Sequence, residues 1–354
     1  MDYLVDYVEL LSAPRWDWLQ VEISGRCNAA CSYCPLNCYQ AAWEGGLMGE
    51  DIFERLVPAF RRADLVYLQG WGEPLLHPSF WNMARSVKSA GTRVGFTTNG
   101  TCLNRASLLK ILDVPIDILA VSIAGATAAT SDRWRAGNDF VCLGVSLEDL
   151  KRMKNERSAN GPRVHIAYML LASNWHELEL LPALAHSWGV SQVVVNNLNY
   201  ICSSEVEKES LFERPDLWKP VLEALGRAKQ RAGALGIELY YHRPDNRDCR
   251  SACTENVLRS CFVSHRGDVS PCVLTNFSIR EASAPSHFFR GRAHPVELLV
   301  FGNVHRQDLG EIWDSAQARA FRAAFERRLT QQRPDPSELP APCRRCYKLF
   351  ELSE

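Results

Sequence analysis

The stretch "WLQVEISGRCNAACSYCPLNC", residues 18–38, decides how the chain is read. Its first seven residues alternate and are rich in β-formers, so they predict a strand. Four cysteines then fall within twelve residues: Cys27, Cys31, Cys34 and Cys38. The first three have the spacing C-x3-C-x2-C and sit just past the strand's C-terminal end. The chain has 354 residues and 13 cysteines, an odd number. Its beginning, "MDYLVDYVELL", is acidic and has neither the basic region nor the small-residue cleavage site of a signal peptide. A cytoplasmic location is therefore expected. In that compartment persistent thiols are core residues, nucleophiles or metal ligands rather than disulfides. A net charge of −1 provides no field to recruit nucleic acid or an anionic membrane. No apolar run reaches the ~18 residues of a membrane span.

Outward from residue 34 the pattern repeats. "DLVYLQG" (64–70), "RVGFTT" (93–98), "IDILAVSI" (116–123), "RVHIAYMLL" (163–171) and "SQVVVN" (191–196) read as strands, with helical periods between them. Ile52, Leu56 and Phe60 share one helical face. Ser79 is placed to cap the next helix and Gly91 to end it. Ser146, with Asp149 three residues on, suggests a capping box. Six such units predict an α/β fold: a partial (βα)6 barrel, open on one side, over residues 1–240. Chemistry is expected at the C-terminal ends of its strands. Past residue 240 come short strand-like pieces, a turn at Gly267-Asp268, more cysteines and a Pro-rich tail. Residues 241–354 are expected to form a smaller C-terminal iron–sulfur domain. His77, His165, His176 and His242 make no metal-spaced pair and read as hydrogen-bonded structural residues.

Three thiolates at this spacing suit an iron–sulfur cube. Zinc, with Cys38 completing a set of four, and three packed core thiols are the competing readings. "CNAACSYC" at the end of the first strand resembles the signature of the radical S-adenosylmethionine (SAM) superfamily. The resemblance implies a [4Fe–4S] cluster held by Cys27, Cys31 and Cys34, with one iron open to SAM. It implies reductive cleavage of SAM to a 5′-deoxyadenosyl radical that abstracts hydrogen from a substrate carbon. Tyr33 would lie near the adenine, and Cys38 would be a spectator. "LQGWGEPLLHP" (68–78) resembles the family's "GGEP" segment through Gly72 and Glu73, with Trp71 replacing the first glycine. "TTNG" (97–100) resembles its "TNG". Asn99 there contacts ribose or takes a left-handed turn. "VSIAGAT" (121–127) matches "SxDG" at Ser122, but Ala124 replaces the acidic residue. In "DRWRAG" (132–137), Arg135 would pair with the SAM carboxylate, or is a solvated arginine. Asn174 follows the fifth strand where relatives often carry Asn.

The C-terminal cysteines resemble a SPASM domain in its truncated, twitch-like form. "GDVSPC" (267–272) and the run "FGNV…LGEIWDS…FR…PAPCRRC" carry the likeness. It implies one auxiliary [4Fe–4S] cluster on Cys253, Cys272, Cys343 and Cys346. Cys261 is the alternative to Cys253, and Cys249 is a further competitor. Zinc rivals iron for the whole set. Cys102, Cys142 and Cys202 lie outside both sets. Cys202 is the best placed to quench a substrate radical, as a catalytic thiol. The resemblance implies an oxidoreductase or maturase acting on a peptide or protein, in one version for a partner metalloenzyme. The alternatives are a small-molecule dehydrogenase or epimerase working on an alcohol such as an aminocyclitol, and a zinc-stabilised binding protein. A one-electron donor such as ferredoxin or flavodoxin is implied for the enzyme.

Overall fold

The computed structural model describes residues 16–157, 161–244, 252–280, 286–331 and 335–353. All six expected strands form. They are β1 (Trp18–Val21), β2 (Leu65–Leu68), β3 (Arg93–Thr98), β4 (Ile118–Ile123), β5 (Arg163–Leu170) and β6 (Gln192–Asn197). They pair in chain order and in parallel, as right-handed βα units require. A seventh parallel strand, β7 (Glu238–Pro244), extends this edge and runs across residues 240 and 241.

The C-terminal segment continues the same sheet. Its β8 (Ser260–Val263) lies parallel to β1, with Trp18 opposite Ser260 and Val21 opposite Val263. Then β9 (Asp268–Ser270) and β10 (Gly302–Asn303) add antiparallel at that edge. At the other edge β11 (Glu351–Ser353) pairs antiparallel with β7. The smaller region thus grips both sides of the open barrel. The turn between β8 and β9 needs Gly267, whose φ is +82°.

Helices cover the outer face. In α1 (Glu50–Phe60), Ile52, Phe53, Leu56, Ala59 and Phe60 are buried, and Glu50 and Asp51 suit the positive end of its dipole. Gly91 ends α2 (Phe80–Ser89) with φ +83°. Ser79 precedes α2 but does not cap it; its hydroxyl donates to Glu50 Oε1 at 2.6 Å, tying α2 to α1. Ser146 starts no helix. It lies inside the long helix Phe140–Arg157, where its hydroxyl reaches Leu103 O at 3.0 Å.

The two faces of each strand explain the hollow at the centre. On β5, Val164, Ile166, Tyr168 and Leu170 are buried under the helices, whereas His165, Ala167 and Met169 turn into the lumen. Barrel lumens are ordinarily filled by bulky branched side chains. Here Ala120 and Ala167 leave space. Gly95 leaves room for the Tyr67 ring, since a Cβ there would come within 2.7 Å of it.

Candidate active site

The first cysteine set sits on the loop that leaves β1, at the C-terminal end of the sheet. Residues Ala30–Cys31 pair antiparallel with Arg135–Ala136, so backbone hydrogen bonding brings Arg135 beside Cys31. Arg135 is 7% exposed. Its Nη1 donates to the Tyr33 hydroxyl at 2.9 Å, and its Nε has no partner. Burial pushes the Cys34 thiol up to about 12, with Cys31 and Cys27 adding to the effect. Burial also raises Cys27. Thiols that resist ionisation when alone are the ones a metal must deprotonate to bind.

The glycine-rich segment braces this loop. A Cβ on Gly72 would lie 2.3 Å from Ser24 O and 2.5 Å from Arg26 O, so only glycine fits against the start of the cluster loop. Glu73 N donates to Arg26 O at 2.8 Å. The Glu73 carboxylate accepts from Thr98 Oγ1 at 2.8 Å, Asn99 N at 2.7 Å and Leu75 N at 3.1 Å. Burial raises its pKa to about 7. Glu73 therefore holds two loops together, and its oxygens face protein donors rather than the cavity. Asn99 Nδ2 donates to Asn28 Oδ1 at 2.9 Å and lies 3.6 Å from the Cys27 sulfur. The left-handed residue of that turn is Gly100, with φ +89°, and not Asn99. Asn174 is spent on structure: it donates to Ala124 O and Met169 O and accepts from Leu171 N.

A cavity of ≈ 480 Å³ opens beside Tyr33, Cys34, Ser122 and Arg135 and descends into the lumen. Its wall includes side chains to which the sequence reading gave no role at the site: Gln69, Thr97 and Asn196, and His165, expected to be a hydrogen-bonded structural residue. His165 is a lumen residue, and its buried Nε2 has no partner. Burial lowers its pKa to about 4, so it is neutral at physiological pH. The period-2 alternation of β5 puts His165 on the face opposite Val164 and Ile166, and that signal could have found it.

The second set also gathers. Cys253, Cys272, Cys343 and Cys346 line one small cavity of ≈ 40 Å³. Burial, with mutual repulsion among them, raises Cys253 and Cys343 well above the ordinary thiol range. Cys261 is elsewhere. It lies on β8 opposite Leu19, packed in the core. Cys249 lies outside the described residues. Among the described residues no three Cys, His, Asp or Glu side chains converge closely enough for one metal ion. Zinc, with bonds of ~2.3 Å to sulfur, needs that convergence. The donors in both sets are thiols throughout, a donor chemistry that fits a four-iron cube.

Asn199, Tyr200, Glu255, Leu274 and Lys348 line both cavities and form the partition between them. Lys348 Nζ pairs with Glu255 Oε1 at 3.0 Å and lies 3.8 Å from Glu351 Oε2. Glu351 Oε1 in turn accepts from Asn197 and Asn199, each at 3.0 Å. Cys202 lines neither cavity. It is bonded to Cys38, with the Cα atoms 6.1 Å apart, so in this form it has no hydrogen to give and Cys38 is held away from the cluster set. Cys142 is exposed and Cys102 half-buried. No helix among the described residues is long and apolar enough to cross a membrane.

Comparison with known proteins follows the same division. A family model described as the radical SAM superfamily matches residues 21–181. A second, an iron–sulfur cluster-binding SPASM domain, matches residues 253–347. A protein of Pyrococcus furiosus named tungsten-containing aldehyde ferredoxin oxidoreductase cofactor-modifying protein is 26% identical over 313 residues, 86% of this chain and 83% of its own. An AdoMet-dependent heme synthase of Methanosarcina barkeri is 24% identical, covering 96% of this chain and 91% of its own. Among solved structures, Streptococcus suis SuiB bound to S-adenosylmethionine superposes with a TM-score of 0.67 at 12% identity, over 96% of this chain and 75% of that one. Its complex with the precursor peptide SuiA gives 0.64, over 98% and 73%.

Proposed function

The chain belongs to the radical SAM superfamily and carries a SPASM domain behind its barrel, and on that premise we propose that it is a maturase acting on a peptide or protein, in the service of a partner metalloenzyme. Its cofactors are SAM with a [4Fe–4S] cluster in the barrel and auxiliary iron–sulfur in the SPASM domain. When bound, they supply a one-electron reductive cleavage that ends in hydrogen abstraction from carbon. Cys27, Cys31 and Cys34 hold the first cluster, and Cys253, Cys272, Cys343 and Cys346 the auxiliary one. Arg135, with its unpartnered Nε, holds the SAM carboxylate, and Tyr33 fixes that guanidinium. Ser122 faces the same end of the cavity. Gly72, Glu73 and Asn99 keep the cluster loop in place from behind.

The observation that carries the substrate class is the chemistry of the cavity wall. Among the described residues its charged side chains are Arg135, Glu255 and Lys348, and the last two neutralise each other. The rest of the polar wall, which includes Gln69, Thr97, neutral His165 and Asn196, offers hydrogen bonds without charge. Such a wall suits amide-bearing chain better than a carboxylate or phosphate, whose burial needs a paired charge. The partition separates the two cavities, and an auxiliary cluster on its far side would supply a one-electron acceptor. The name of the P. furiosus relative supports a metalloenzyme as the beneficiary.

A second reading, a free small molecule, draws on the M. barkeri relative, whose name is heme synthase. Anaerobic incubation with SAM, dithionite and each candidate separates them. A mass change on a peptide or partner protein, with 5′-deoxyadenosine formed in step, is expected. Turnover confined to a free small molecule, such as an alcohol losing two mass units, would replace the maturase reading.

A further inference from the structure

Cys38 and Cys202 belong to neither cluster set. Cys38 ends the single helical turn Pro35–Cys38 that leaves the ligand Cys34. Cys202 ends the segment that leaves β6 and carries Asn199 and Tyr200, two residues of the partition between the cavities. The bond between them spans 164 residues of chain. It therefore connects the cluster loop directly to the cavity wall. An aromatic layer lies over it. Tyr39 shares a hydrogen bond of 2.9 Å with the Tyr200 hydroxyl, and Phe277 packs on Tyr39, Tyr200 and Trp71. Cys38 is half-buried and Cys202 is 8% exposed, so a reductant meets Cys38 first.

We propose that Cys38 and Cys202 form a third redox site, a dithiol–disulfide couple that staples the wall segment 198–203 to the cluster loop. Reduction proceeds by thiolate exchange. An external thiolate attacks the Cys38 sulfur, Cys202 leaves as a thiolate and takes a proton, and a second external thiol releases Cys38. Two protein thiols and one small disulfide result, for two electrons and two protons. A small-molecule disulfide drives the reverse. The couple therefore follows the thiol–disulfide poise of the medium: excess thiol opens it and excess small-molecule disulfide closes it. The staple acts on the wall's mobility because Tyr200 and Asn199 lie within three residues of Cys202.

The test uses the anaerobically reconstituted full chain, incubated either with oxidised glutathione or with tris(2-carboxyethyl)phosphine. Each sample is denatured in iodoacetamide and digested without reductant. A linked peptide pair holding Cys38 and Cys202 is expected only in the first. Hydrogen–deuterium exchange of residues 198–203 is expected to rise about fivefold or more on reduction. The Cys38→Ser variant, at the more exposed partner, is expected to show the reduced rate under both conditions. Absence of the linked pair overturns the couple. A linked pair with unchanged exchange at 198–203, or a variant that still responds to reductant there, overturns the staple.

Discussion

The Arg135 guanidinium donates to the Tyr33 hydroxyl at 2.9 Å, joining residues 102 apart in sequence, while its Nε stays unpartnered beside the cluster cysteines. A buried arginine with a spare donor is costly unless a ligand takes it. Lysine keeps the charge but loses the planar fork and the reach to Tyr33. Arg135→Lys is therefore expected to weaken SAM binding by ~10–100-fold, the equivalent of one or two charge-assisted hydrogen bonds. Equilibrium dialysis with labelled SAM measures it. Iron content should not change, and a loss of iron would make Arg135 a brace of the loop instead.

Gly72 tests the packing of that loop. The nearest atoms to an added Cβ are backbone atoms of residues 24 and 26, which no rotamer change can move aside. Gly72→Ala is expected to displace the cluster loop and cost about four irons per chain, leaving the auxiliary set loaded. Colorimetric iron analysis after reconstitution checks this, and a full iron complement would show that the loop yields cheaply.

The six strands and the first cysteine motif were legible because both are local signals, period-2 alternation and thiols at fixed spacing. The second cysteine set, spread over residues 253–346, rested instead on a family resemblance. The helix starts were less so. Ser79 and Ser146 have capping residue types, yet tertiary partners, Glu50 and the Leu103 carbonyl, captured their hydroxyls. The roles of Glu73 and Asn99 depend on which loop lies behind them, a long-range contact that no motif records. His165 reads as structural because a lone histidine carries no spacing; only the face of β5 puts it in the lumen. The Cys38–Cys202 bond joins residues 164 apart, beyond any pattern of neighbours. The continuation of the sheet through β8 on one edge and β11 on the other is likewise a matter of non-local pairing.

Glu73 predicts a pH dependence. Burial raises its pKa from 4.5 to about 7. Between those values the unfolded chain has lost the proton and the folded chain retains it. The folded state then binds more protons, so this group's contribution to stability falls as pH rises from 4.5 to 7 and is level above. Glu73→Gln removes that slope. It also replaces an acceptor of three donors by an amide that satisfies fewer, at a cost of ~1–3 kcal/mol. Melting temperatures of the two proteins from pH 5.5 to 8 are expected to converge toward higher pH, where the buried carboxyl is ionised and carries its full desolvation cost. A constant difference would mean that Glu73 does not titrate in this range.

The auxiliary set turns on which cysteine begins it. Cys253 shares a cavity with Cys272, Cys343 and Cys346, whereas Cys261, on β8, is buried in the core opposite Leu19. Replacing a cluster ligand leaves three thiolates around an exposed edge of the cube. Cys253→Ala is therefore expected to lower iron from about eight to about four per chain, with SAM binding intact. Cys261→Ala removes a buried sulfur and leaves a small void, so its expected cost is ~1 kcal/mol of stability with all the iron retained. The triple change of Cys27, Cys31 and Cys34 to Ala should likewise leave about four irons but abolish SAM binding. Iron analysis paired with SAM dialysis on the three variants separates the two sites. Iron lost from Cys261→Ala and kept in Cys253→Ala would exchange their roles, and colourless, zinc-loaded protein from anaerobic purification would remove both clusters from the account.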